Sequence, residues 1–186
     1  MTNKNVYLQQ DEFENVFKKH IKTSVYSMSI KTLFGERMTR KINHRPYYQR
    51  NYVWDNKKAS FLIESILLGT DVPPLIFFNT GSKYEVIDGR QRFETIMNFR
   101  NGDLKLNIKG LSKITQLRNK TFAKLDADVQ ALLDDAKIRI FEFEVFNEPR
   151  LNTILEDKIK KEIFRRYNSG ITPLNSAEID NATYDD

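Results

Sequence analysis

The stretch from Leu75 to Gly102 constrains the fold more strongly than any other part of this chain. It opens with four consecutive apolar residues, at positions 75–78, which predict a buried β-strand. A short turn-forming stretch separates them from a second predicted strand at positions 84–87, so a β-hairpin is expected. Apolar residues then recur at helical spacing from Phe93 onward, and Gly102 is placed to end that helix. The chain must therefore accommodate a hairpin that runs almost directly into a helix.

Periodicity predicts further elements on both sides of this segment. A first helix is expected to carry an apolar stripe that includes His20 and Ile21, so His20 is interpreted as a structural histidine rather than a ligand. In a later predicted strand the apolar alternation changes phase between Ile140 and Phe141, which predicts either burial on both faces or a bulge. This strand is predicted at residues 138–146, and further helices at residues 57–68, 126–135 and 153–167.

Composition narrows the class of protein. A chain of 186 residues, 40% of them hydrophobic, can form one compact domain with a substantial core. The absence of cysteine excludes disulfides, a cysteine nucleophile and cysteine-based metal sites, and two histidines cannot build a histidine-rich metal centre. The first twenty residues are charged and no uncharged run reaches transmembrane length, so a cytoplasmic protein without a membrane partner is expected.

The five residues between the second strand and its helix are the most informative for function: Asp88, Gly89, Arg90, Gln91 and Arg92. Glycine lets a ligand approach the backbone, the start of a helix favours an anion, and arginines are fork-shaped donors suited to phosphate oxygens. Asp88 is a candidate Mg²⁺ ligand because magnesium shares oxygen ligands with phosphates, and Gln91 is a candidate for orienting an attacking water. The alternative is a tight structural turn with Asp88 as the helix cap and the arginines in solvent; the P-loop pattern is absent.

A second polar cluster ends the predicted helix at residues 153–167. Arg165 and Asn168 lie in the run Phe-Arg-Arg-Tyr-Asn-Ser-Gly at residues 164–170, and one arginine from this helix would complete a triphosphate site. Cations near a helix C-terminus and Asn or Gly as terminators are also ordinary, so a purely structural helix end is the alternative.

A basic and aromatic segment precedes the hairpin. Between residues 31 and 60, eight lysines and arginines stand against two acidic residues, although the net charge of the chain is only +5. Pro46 argues against a helix, so an extended segment or ordered loop is expected there. Aromatic residues interleaved with arginine can stack bases and neutralise phosphate, which makes Gln49 and Arg50 candidate ligand contacts. A solvated basic surface is the alternative. Candidate nucleic-acid contacts are Lys41, Arg45, Lys57 and Lys58.

Taken together, these clusters resemble the N-terminal domain of GmrSD-type restriction endonucleases. The family pattern Pro-x-Tyr-Gln-Arg-x-Tyr-x-Trp matches residues 46–54, and Ile-Leu-x-Gly-x-x-x-Pro-Pro matches residues 66–74. Val-Ile-Asp-Gly-Gln-Gln-Arg corresponds to residues 86–92, Phe-x-Arg-x-Asn-x-Gly to residues 164–170, and Leu-x-x-x-Glu to residues 174–178. The motifs follow the family order and span nearly the whole chain.

The resemblance implies an α+β fold of the ParB/sulfiredoxin-like type, with a small mixed β-sheet flanked by helices and a helical C-terminal part. Residues 1–186 would form a single nucleotide-binding domain. The implied function is an NTP-binding and NTP-hydrolysing regulatory module of a prokaryotic anti-phage restriction system that acts on modified DNA, with Mg²⁺ as cofactor. DNA and a C-terminal or separate nuclease module are the implied partners. The chain is therefore expected to be the first part of a longer protein or a stand-alone subunit.

The resemblance also implies phosphate contacts for particular residues. The resemblance assigns them to Gly89, Arg92, Arg165 and Asn168 and, through the Tyr-Gln-Arg motif, to Gln49 and Arg50. Two positions depart from the family pattern. Arg90 stands where the family has Gln, which is expected to strengthen phosphate binding and to disturb the placement of water. Asp180 stands where the family tends towards Arg, which replaces a cation with an anion.

Three functions follow from these expectations. In the leading hypothesis Arg50, Arg90, Arg92 and Arg165 stabilise phosphate charge, and the catalytic set is Asp88, Gln91 and Arg92. The first alternative is a non-enzymatic, ParB-like DNA-binding module that uses the basic segment. The second and less favoured alternative is a nuclease in its own right.

Overall fold

The computed structural model of the protein describes residues 10–45, 52–146 and 151–168. The helices are α1 (Gln10–His20), α2 (Ile30–Leu33), α3 (Glu36–Thr39), α4 (Asn56–Leu67), α5 (Arg90–Asn101), α6 (Ala127–Asp135) and α7 (Thr153–Asn168). The strands are β1 (Ile21–Ser29), β2 (Ile42–Asn43), β3 (Leu75–Asn79), β4 (Tyr84–Asp88) and β5 (Lys137–Val145). Three short 3₁₀ turns, Ile108–Gly110, Thr115–Leu117 and Phe122–Lys124, lie between α5 and α6.

The described strands form one mixed sheet in the order β1-β5-β3-β4-β2. Pairs β1–β5 and β3–β4 are antiparallel, whereas β3–β5 and β2–β4 are parallel. Helices flank the sheet, so the expected α+β fold with a small mixed sheet is confirmed. The finer ParB/sulfiredoxin-like assignment stays a prediction.

The central strand β3 is buried on both faces and divides the core into two layers. Leu75 and Phe77 join the cluster that is covered by α2, α4, α5 and α6. Ile76 and Phe78 face the other way, into the cluster covered by α1 and α7. Side chains alternate across a strand, so four consecutive apolar residues can only be buried between two layers of helices. Each such buried side chain contributes about 1.5–3 kcal/mol.

The predicted hairpin and most helices are confirmed, the start of α5 and the place of Ile21 differ from the prediction, and the structure decides between the two alternatives for β5. The helix after the hairpin begins at Arg90, so positions 90–92 form its first turn rather than a loop. Ile21 belongs to β1 and not to the first helix, because its backbone already pairs with Val145. The phase change in β5 reflects burial on both faces, since its pairing register is continuous and the irregularity of the sheet lies instead between Ile76 and Phe77.

A buried carboxylate ties α4 to the irregular segment that follows α5. Glu64 is only 1% exposed and accepts hydrogen bonds of 2.7–3.0 Å from the backbone N–H groups of residues 112–114 and from the Ser112 hydroxyl. Burial alone raises the pKa of Glu64, but these hydrogen bonds to the ionised form outweigh it and leave the pKa lowered. The carboxylate therefore orders a stretch whose own hydrophobic periodicity is weak.

Replacing Glu64 with glutamine is expected to lower the free energy of unfolding by about 2 kcal/mol at neutral pH, because hydrogen bonds to a charged acceptor are lost. The folded-state pKa is lowered, so this stabilisation is present above the ordinary pKa of Glu, about 4.3, and is lost as the pH falls through the folded-state value. Urea unfolding at several pH values measures both effects.

The matched control is Glu36→Gln, at a carboxylate whose side chain is 78% exposed and pairs with Arg40. That change is expected to cost less than about 1 kcal/mol. A cost for Glu64→Gln that equals the control, or that does not shrink in acid, would contradict the anchoring role of Glu64.

Candidate functional site

A sharp turn joins β4 to α5 at Gly89, the N-cap residue of the helix. Its backbone is left-handed, with φ 88° and ψ 12°. A Cβ at this position would lie 2.5 Å from Cδ2 of Leu75 and 2.9 Å from Nη2 of Arg92. Both the conformation and the space therefore require glycine. A glycine offers no side-chain acceptor to the first N–H groups of α5, which is the arrangement that suits an anionic ligand.

Arg92 clamps this turn from inside the first helical turn. Its Nη2 donates to Oδ2 of Asp88 at 2.9 Å and to the carbonyl oxygen of Pro74 at 2.8 Å. The Nε atom of Arg92 is buried and has no hydrogen-bond partner among the described residues. The predicted site residues Asp88, Gly89 and Arg92 are thus brought together. The Nε donor of Arg92 remains without a hydrogen bond to the described residues.

The side chain of Gln91 contacts the segment that leads into α4. Its Oε1 accepts backbone hydrogen bonds from Val53 at 2.9 Å and from Trp54 at 3.3 Å. Trp54 is half-buried against the core, as its interpretation as a core residue suggests. The role of Gln91 in orienting an attacking water stays a prediction. In this structure the side-chain oxygen of Gln91 accepts hydrogen bonds from the backbone instead.

Arg90 is buried beside Glu94, a residue that the sequence patterns did not single out. Glu94 is 1% exposed and Arg90 8% exposed. Oε1 of Glu94 accepts from Nε of Arg90 and from Nε of Arg45, each at 3.1 Å, while Oε2 is buried without a partner among the described residues. The i, i+4 spacing of Arg90 and Glu94 on one helix was the available signal. The Arg90 side chain is therefore held by the Glu94 carboxylate and does not extend into solvent.

His44 completes the surroundings of Glu94. Its ring stacks on Phe93 with centroids 5.4 Å apart, and its Nε2 lies 3.7 Å from Oε1 of Glu94. Burial lowers the pKa of His44 below its usual range, so the imidazole is neutral at pH 7. The negative charge of the Glu94 carboxylate is therefore balanced by Arg45 and Arg90.

The end of α7 packs on β5. The ring of Tyr167 contacts those of Phe143 and Phe141, with centroids 5.9 and 6.2 Å apart. Phe141 pairs with Ile76 in β3, and Ile76 pairs with Asp88 in β4. The helix that carries the second predicted cluster thus ends over the strand next to β3, two strands from the β4 that leads into the first cluster.

Arg165 and Arg166 are both anchored on the same buried carboxylate, that of Glu162. Arg165 donates through Nε at 2.9 Å and Nη2 at 2.5 Å, and Arg166 donates through Nε at 2.9 Å. The hydrogen bond from Arg165 lowers the pKa of Glu162, and burial opposes it less strongly. Asn168 is the last residue of α7. Gln49 and Arg50 lie outside the described residues.

The predicted nucleic-acid contacts differ in their surroundings. Lys41, Lys57 and Lys58 are exposed, and Nζ of Lys58 lies 4.6 Å from the centroid of the Trp54 ring. Arg45 is exposed for much of its length, but its Nε is bound to Glu94. The two lysines of α4 therefore remain the better candidates for an external anion.

The described part of the chain contains neither a ready-made metal site nor a membrane-spanning helix. No three His, Asp or Glu side chains there are grouped so that they could hold a metal ion by themselves. Asp88 is the carboxylate that Arg92 binds at the turn, so a cation there would have to share it with ligand oxygens and water. None of the described helices is both long enough and apolar enough to cross a bilayer.

The chain matches a known protein family. The family described as "GmrSD restriction endonuclease, N-terminal domain" matches residues 30–184. This range includes the Gly89 turn, the Glu94 cluster and α7, and begins at α2. No curated protein matches the chain.

Substitution of Gly89 by alanine tests the steric argument for the turn. The variant is expected to lose about 2–3 kcal/mol of unfolding free energy, because a left-handed conformation and a close contact are both forced on the new Cβ. The control is Gly102→Ala, which has a similar φ of 87° but no atom within 4 Å of the added Cβ. Urea unfolding should show a larger loss for Gly89→Ala; equal losses would contradict the close-contact argument.

Proposed function

Because the match covers most of the chain, the protein belongs to the GmrSD restriction endonuclease N-terminal domain family and is a module of a restriction system, and we propose that it binds and hydrolyses a nucleoside triphosphate at the Gly89 turn. DNA and a nuclease module, in the same chain or in a separate subunit, are its proposed partners. The nucleotide would regulate the action of that nuclease.

The observation that carries the proposal is the glycine turn at the start of α5 beside a buried arginine donor. The helix opens directly after a left-handed glycine that supplies no side-chain cap, so its positive dipole end faces the turn and favours an anion there. Arg92 supplies a positive charge and a buried Nε without a partner among the described residues at the same place. Phosphate groups fit this combination of backbone and guanidinium donors.

The donor set also fits a magnesium ion bound together with the nucleotide. Magnesium is commonly held by one or two carboxylates, with phosphate oxygens and water completing its ligands. Asp88 would hold it, and Arg92 already orients the Asp88 carboxylate through Nη2. When bound, the ion neutralises charge on the phosphates.

The roles of the remaining residues follow from their contacts. Arg92 and Arg165 stabilise phosphate charge, and the carboxylates of Asp88 and Glu162 hold these two guanidinium groups in place. Arg90 is proposed to act mainly through its buried pair with Glu94, which differs from the direct phosphate contact expected from its position in the motif. Gln91 positions the 52–54 segment and is a candidate for orienting the attacking water.

Titration calorimetry with each of the four ribonucleoside triphosphates and Mg²⁺ tests the proposal. Arg92→Ala is expected to weaken binding about tenfold or more, because a charge-assisted contact to phosphate is lost. Arg92→Lys should recover only part of the affinity, since lysine keeps the charge and loses the planar fork. Asp88→Asn should suppress phosphate release in a hydrolysis assay.

The matched control is Arg118→Ala, at an exposed arginine in the segment between α5 and α6. It should bind nucleotide like the unchanged protein. Circular dichroism and urea unfolding establish that each variant is folded. Nucleotide affinity that is unchanged in folded Arg92→Ala, or no binding of any triphosphate, would reject the proposal.

A further inference from the structure

We propose that a second surface, on the first turns of α4 and the adjoining 108–112 loop, binds an unpaired DNA strand. In this site one base stacks on Phe61, and the flanking phosphates contact Lys57, Lys58 and Lys109. These four residues are called the Phe61 surface below. The proposal deepens the assignment of DNA as a partner and does not depend on nucleotide binding at the Gly89 turn.

The Phe61 surface surrounds a concave site of about 320 Å³ between α4 and the loop. Its lining includes the four residues of the surface together with Asp55 and Ser112. The phenylalanine is 58% exposed, although it lies on a helix whose other face is packed in the core. An exposed aromatic ring among lysines offers a stacking platform next to phosphate-binding charges, which is the combination used to hold single strands.

The loop that carries Lys109 is firmly positioned on α4. A Cβ at Gly110 would lie 2.1 Å from the carbonyl oxygen of Lys57, so only glycine permits this close approach. The backbone N–H of Asn107 donates to Oγ of Ser60 at 2.7 Å, and Glu64 holds the next turn of the loop. Lys109 and Lys57 are thus placed beside the same concavity by contacts that do not involve their own charges.

The positive charge of the surface is not neutralised within the described part of the chain. None of its lysines has a carboxylate there within 4.0 Å. The carboxylate in the lining, Asp55, caps the helix by accepting the backbone N–H of Lys58 at 2.7 Å. The start of α4 adds its positive dipole end at the same place. A polyanion complements this surface.

The strand must be unpaired for the base to reach the ring. In a duplex the faces of the bases are stacked on one another, so a protein ring gains access only to a single-stranded or extruded base. The Phe61 surface therefore predicts a preference for single-stranded over double-stranded DNA of the same length.

Fluorescence anisotropy with a labelled 12-nucleotide single strand and the corresponding duplex tests this inference. The single strand should bind more tightly than the duplex. Phe61→Ala should weaken its binding about fivefold or more, whereas Phe61→Tyr should keep it because the π-face is retained. Lys57→Ala and Lys109→Ala should each weaken binding and reduce the slope of log K against log salt by about 0.7.

The matched controls are Phe146→Ala, at a phenylalanine that is 51% exposed at the end of β5, and Lys83→Ala, at an exposed lysine in the β3–β4 turn. Both should bind the single strand like the unchanged protein. An undetectable single-strand complex, a preference for duplex, or an affinity of Phe61→Ala within twofold of the unchanged protein would overturn the inference.

The same variants separate this inference from the nucleotide site. Phe61→Ala should bind triphosphate normally, and Arg92→Ala should bind the single strand normally. Loss of nucleotide binding with intact DNA binding would reject only the proposed function. If Phe61→Ala lost both activities while Phe146→Ala kept them, the two sites would not be independent and the Phe61 surface would be rejected as a separate site.

Discussion

The rest of the structure depends on the Gly89 turn, where β4 passes into α5 without an intervening loop. A left-handed backbone and the nearness of Leu75 leave no room for a side chain at this point. Arg92 then joins the Asp88 carboxylate to the carbonyl oxygen of Pro74, so the start of β3, the end of β4 and the first turn of α5 are connected. This connection sets the direction of α5, which covers part of one face of the sheet.

Buried carboxylates organise the cations and backbone donors around that frame. Glu94 holds Arg90 and Arg45, Glu162 holds Arg165 and Arg166, and Glu64 holds the backbone of the 112–114 turn. A buried carboxylate is costly unless it is hydrogen-bonded, so each one fixes its partners in place. Buried Glu94 therefore orders residues beside the Gly89 turn, and buried Glu64 orders the loop beside the Phe61 surface. This preorganisation is what a phosphate-binding site requires.

The sequence predicts the fold where local pattern and burial agree, as in β3, where an uninterrupted apolar run matches burial on both faces. It does not predict β1, because lysine, serine and threonine interrupt the apolar residues of this edge strand, and Ile21 also continues the helical stripe of α1. The Asp88, Gly89 and Arg92 grouping is local and could be predicted. For Glu94 the sequence offers only the i, i+4 spacing to Arg90. A glutamate on a helix is usually solvated, and its burial beside Arg45 depends on a contact far away in sequence.

Amide NMR spectra of the ¹⁵N-labelled chain test whether an anion binds at the start of α5. On titration with each ribonucleoside triphosphate and Mg²⁺, the largest shift changes for at least one nucleotide should fall on the amides of residues 89–92. The amides around Phe61 should change little. Shift changes confined to other parts of the chain, or none at residues 89–92 with any triphosphate, would rule out anion binding at this turn and leave it with a structural role alone.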